Sequence, residues 1–77
     1  MFTVRLIVRV RGTKRIIKTF IRSEYALNTL SHADTFETLG DAEIAADALA
    51  DDMSSRGHTV IGADFYEHGK FLGKHKL

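Results

Sequence analysis

The 77-residue chain has no cysteine, no proline and no tryptophan. Without cysteine there is no disulfide framework and no Cys-based zinc site. A chain of this length buries only about 60–65% of its unfolded surface, near the lower limit for folding without such staples. Packing alone, or packing with self-association, must hold the core. Long apolar runs are also missing. No segment approaches the roughly 20 residues of a membrane helix, and Arg5, Arg9 and Arg11 interrupt the apolar residues near the start, unlike a signal peptide. The expectation is a cytoplasmic protein with no membrane contact. At 44% hydrophobic and 27% charged residues, the composition is globular, and the length suits one domain spanning 1–77.

One further absence is local: the first 23 residues contain no acid. They carry seven bases (Arg5, Arg9, Arg11, Lys14, Arg15, Lys18, Arg22), whereas residues 24–67 hold all ten acids against a single Arg56. Lys70, Lys74 and Lys76 follow, so the charge runs +7, −9, +3 behind a net value of +1. A near-neutral total argues against indiscriminate coating of nucleic acid. The local concentration of like charge calls for a partner of opposite sign.

What is present reads as alternating strands around one helix. Phe2, Val4, Leu6, Val8 and Val10 alternate with Thr3, Arg5, Arg9 and Arg11, the period of a half-buried strand. Gly12-Thr13 suits a two-residue type II′ turn into a second strand from Lys14 to about Ser23. That register sets Val8 opposite Ile17, Leu6 opposite Thr19 and Val4 opposite Ile21 on an apolar face. The other face then carries Arg5 beside Phe20, Ile7 beside Lys18, Arg9 beside Ile16, and Arg11 beside Lys14. A four-residue loop around the same dipeptide preserves this pairing, whereas a three-residue loop swaps the faces of one strand.

Residues 24–33 read as a loop with a helical turn around Tyr25–Leu30, and Asp34–Thr38 as a third strand. Thr38 with Asp41 three residues on resembles a helix cap, predicting a helix from Leu39 to Arg56 stopped by Gly57. Its expected covering stripe is Ile44, Ala45, Ala48, Leu49 and Met53. Thr59–Tyr66 and Lys70–His75 read as strands joined by a His68-Gly69 turn, with Glu67 opposite Lys70. The fold class is therefore α+β: an antiparallel sheet of four to five strands with one principal helix on one face, in the order β-β-(β)-α-β-β. The stretch from Thr38 to Gly69 resembles a plan shared by many small bacterial and phage proteins, an architecture that carries no residue-level function.

The strongest functional signal is the second face of the N-terminal hairpin. Arg5, Arg9, Arg11, Lys14, Lys18 and Arg22 surround Ile7, Ile16 and Phe20. Phosphates would offset the repulsion among these cations, and Phe20 would offer a stacking surface. The plainer reading is a solubilised strand surface. A different class of function is a small protein-interaction or inhibitor module of phage type. It would act through the acidic helix residues Glu43, Asp47, Asp51 and Asp52, or by homodimerising with the basic face against that helix.

Catalysis has no comparable support, and no cofactor, catalytic residue or metal ligand is assigned. Ser31, His32 and Asp34 are too close in sequence to build a triad. His68 and His75, with Asp64 and Glu67, are poorly placed for a metal. Gly12-Thr13-Lys14 lacks the upstream glycine and following helix of a phosphate loop. The expectation is a non-catalytic binding module, with nucleic acid first and an acidic protein partner or self-association as the alternative.

Overall fold

Two hairpins flank a single long helix, and the first strands of the two hairpins meet at the centre of the sheet. The computed structural model describes residues 1–76, with side chains described through Lys74. Strands β1 (Phe2–Arg9), β2 (Ile16–Phe20), β3 (Thr59–Glu67) and β4 (Lys70–Lys76) form one antiparallel sheet in the order β2-β1-β3-β4. Helix α1 (Leu39–Ser55) packs on one face, making an α+β fold. No helix among the described residues is long and apolar enough to cross a membrane.

The first hairpin has the register that its alternation demands, with Val8 opposite Ile17, Leu6 opposite Thr19 and Arg5 opposite Phe20. Its turn differs from expectation. It is a four-residue loop, closed where Val10 N donates to Arg15 O at 2.9 Å. Gly12 takes φ +72 inside it, and the Thr13 hydroxyl donates to Val10 O while accepting from Arg15 N. A two-residue turn would set the like charges of Arg11 and Lys14 directly opposite each other. The wider loop avoids this and gains the threonine bonds.

The helix ends where local signals place its ends. Thr38 caps the start through a 3.1 Å bond from Asp41 N to its hydroxyl. At the other end Gly57, at φ +89, and His58 donate to the carbonyls of Ser54 and Met53, a Schellman closure.

The covering stripe is rotated from the expected one. Ala42 and Ala46 are fully buried, with Leu39, Leu49 and Ala50 packed beside them, while Ile44 is 70% exposed and Ala48 is also exposed. The reason is volume. Val4, Leu6, Val8 and Phe65 already fill the space above the sheet, so close packing requires small residues on the approaching helix.

The expected strand at Asp34–Thr38 shrinks to one bridge, in which Phe36 exchanges two hydrogen bonds with Phe2 at 2.7 and 2.8 Å. Thr38 is already committed to the helix cap, so pairing cannot extend. Residues 24–33 hold a turn closed by Ala26 N to Ser23 O and a short 3-10 turn at Leu30–His32. At the second hairpin, Glu67 faces Lys70 across His68 (φ 49) and Gly69 (φ 81), the two positive φ angles of a type I′ turn.

The outer edge of β2 is closed by a side chain. Asn28 accepts from Phe20 N at 2.8 Å and donates to Lys18 O at 3.0 Å, occupying two groups that a foreign strand would use. Asn28→Ala is expected to lower stability by about 1 kcal/mol and to increase aggregation on heating. Thermal melts with light scattering test both effects, and unchanged scattering would discount the edge-sealing role.

Candidate functional site

The sheet face turned away from the helix is where the chain's distant segments combine. Odd-numbered β1 residues point there, because Val4, Leu6 and Val8 face the helix. The pairings then align Phe20, Arg5, Asp64 and Lys74 in one row across all four strands. Thr3, Tyr66 and Phe71 form the next row, and Lys18, Ile7 and Gly62 line the other side of the first.

At the centre Arg5 Nη2 meets Asp64 Oδ2 at 2.8 Å, with the Asp64 side chain only 4% exposed. The guanidinium lies 5.5 Å from the Phe20 ring centroid and 5.8 Å from that of Tyr66, within cation–π range. Phe20 and Tyr66 are 5.9 Å apart, and Tyr66 and Phe71 5.8 Å, so three rings run in sequence across the sheet. Thr3 Oγ1, Arg5 Nε and Asp64 Oδ1 are buried here without a hydrogen-bond partner.

This geometry redistributes the residues singled out from sequence. Arg9 and Lys18 are exposed on the open face and make no ion pair among the described residues. Arg5 is neutralised by Asp64. Lys14 is exposed, but in the hairpin loop. Arg11 turns to the helix end: its backbone N donates to His58 Nδ1 at 3.0 Å, and a Cβ at Gly57 would lie 2.9 Å from Arg11 Cδ. There its cation complements the helix C-terminus. Arg22 is half-buried and donates to Thr19 Oγ1 (2.7 Å), Phe20 O (3.1 Å) and Ala26 O (3.2 Å). Phe20 is only 8% exposed. The ring imagined as a free platform is instead packed under Arg5 and Tyr66.

Residues the sequence reading passed over take those places. Lys74 adds an exposed cation to the face, and Phe71, 58% exposed, is the accessible end of the aromatic row. The alternation of β3 already groups Asp64 with Tyr66. Nothing local says that β3 pairs with β1, so their approach to Arg5 could not be read.

The helical acids lie on the other side of the molecule. Glu43, Asp47 and Asp51 are exposed along α1, with Ile44 among them, and Asp52 pairs with Arg56 at 3.2 Å. His32 Nδ1 contacts Thr29 Oγ1 and Ser31 Oγ at 2.9 and 3.2 Å on the surface, and Asp34 makes no side-chain hydrogen bond to them. Among the described residues, no three His, Asp or Glu side chains gather as metal ligands; the His75 side chain lies outside those described. No protein family, curated protein or solved structure matches this chain, so its own side chains must carry the functional reading.

Proposed function

We propose that this protein is a non-catalytic module that binds nucleic acid through phosphate contacts on the open face of its sheet. The observation that carries this reading is one-sided charge. Arg9, Lys18 and Lys74 stand exposed on that face, and Asp64, the acid in its central row, is already paired with Arg5. The helical acids lie on the opposite surface. Cations tracking a backbone beside an accessible ring are the elements of a sheet-based nucleic-acid binder.

Three phosphate contacts on a single strand give a slope of about −2 in log K against log salt, or roughly a twentyfold loss between about 50 and 200 mM. Fluorescence anisotropy of labelled single- and double-stranded DNA and RNA measures this directly. Lys18→Ala is expected to make the slope shallower by about 0.7. Arg9→Glu with Lys18→Glu is expected to abolish binding, while Asp47→Lys with Asp51→Lys leaves it intact. No binding of any form at low salt would overturn the proposal.

A second reading is favoured by Ile44, whose exposure amid Glu43 and Asp47 gives the helix an apolar centre with an acidic rim. A basic protein partner, including the open face of a second copy, would fit that surface. This reading expects the helix substitutions to matter and the sheet substitutions to matter only in a dimer.

A further inference from the structure

Tyr25 is 94% exposed, yet the turn that carries it is firmly held. The turn closes through Ala26 N to Ser23 O at 3.0 Å. On one side Arg22 ties Ala26 O to Thr19 Oγ1 and Phe20 O, three bonds from one guanidinium. On the other, Asn28 is bonded to Phe20 N and Lys18 O. Two polar clamps anchored on β2 thus present an aromatic ring that has no packing role of its own. A ring held this way loses little conformational entropy on binding, because only its two χ angles remain to be fixed.

The anchor point links the turn to the edge of the open face. Asn28 grips the backbone of Lys18, one of the exposed cations of that face. A phosphate chain crossing the sheet from Lys74 on β4 to Lys18 on β2 therefore leaves the sheet at the edge where the turn stands. Phe20 cannot supply a platform there, because its ring is buried.

From this we infer that Tyr25 is a stacking platform for an unpaired base, and that the ligand of the open face is single-stranded nucleic acid. The inference rests on the proposed binding at that face. It adds the choice of single strand over duplex, because stacking on an outlying ring needs a base free of its pair.

The composition provides a direct probe. The chain has two tyrosines and no tryptophan, so Tyr66→Phe leaves Tyr25 as the only strong intrinsic emitter. Titrating this variant with an unlabelled single-stranded oligonucleotide is expected to quench its emission with the midpoint seen by anisotropy. Heparin, a polyanion without bases, is expected to bind with little quenching.

In the otherwise unaltered protein, Tyr25→Ala is expected to weaken single-strand binding about tenfold, the effect of losing one base stack. Tyr25→Phe should restore it, and the salt slope should not change. The exposed position keeps either substitution from disturbing the fold, so this arm stands even if Tyr66→Phe folds poorly.

Single-strand binding with unchanged emission and no loss in Tyr25→Ala would overturn the stacking role while leaving the charged face in place. Equal affinity for duplex would do the same. Absence of any nucleic-acid binding at low salt would overturn both, and a Tyr25-dependent complex with a protein would reassign the ring as a protein anchor.

Discussion

Replacing Arg5 with methionine is expected to lower stability by about 3 kcal/mol, and replacing Arg5 and Asp64 together, with methionine and leucine, to lower it far less. The Asp64 carboxylate is buried, with Oδ2 held by Arg5 and Oδ1 without a partner. Removing the cation strands a charge that water cannot reach, the costly way to break such a pair. Arg5 is a quarter exposed, so solvent screens part of the attraction and keeps the effect at the low end of the range for buried pairs. Removing both charges leaves neither unpaired, and the surrounding Ile7, Phe20 and Tyr66 can pack against apolar replacements.

A double-mutant cycle by urea denaturation isolates the coupling. A loss below about 1 kcal/mol for Arg5→Met would mean that the pair behaves as a surface bridge. The same cycle bears on function. Arg5 and Asp64 cancel in charge, so the double variant should retain the salt dependence of nucleic-acid binding. If it lost that dependence, Arg5 would be a phosphate contact after all.

Leu6→Ala is expected to cost about 3–4 kcal/mol, whereas Ile44→Ala is expected to change stability by no more than about 0.5 kcal/mol. Leu6 is the largest fully buried side chain among the described residues, set on β1 between Thr19 and Ala63 beneath the helix. Truncation there removes a buried side chain and leaves a cavity that a two-layer fold can close only partly. A chain of this size has a total stability of about 4–11 kcal/mol, so the loss is a large share of it. Ile44 is the same size of residue on a helix that covers the core, yet it faces outward. If Ile44→Ala proved as costly as Leu6→Ala in urea melts, the rotation of α1 described above would be wrong.

Of these cases, the burial of Leu6 is where reading the sequence succeeds. The register of the first hairpin follows from the period-two pattern of β1, since a one-residue slip would turn every apolar side chain to the wrong face. The helix boundaries follow from Thr38 and Gly57, and the second turn from His68-Gly69, because caps and turns are decided by backbone groups a few residues apart. All these signals are local, and the chain states them by itself.

The rotation of α1 is of another kind. Alanines and larger apolar residues share two neighbouring stripes of the helix, and the choice between them depends on the volume already filled by Val4, Leu6, Val8 and Phe65. The content of the open face is also non-local. Arg5 and Asp64 are 59 positions apart, and only the pairing of β1 with β3 brings them together. That pairing neutralises one expected cation, buries the expected ring of Phe20 and leaves Arg9, Lys18, Lys74 and Phe71 accessible. The sequence alone determined the two hairpins, the helix with its ends, and the sign of each segment's charge. Which charges stay free and which rings stay bare was decided in the tertiary structure, because burial and ion pairing belong to residues that meet only once the chain has folded.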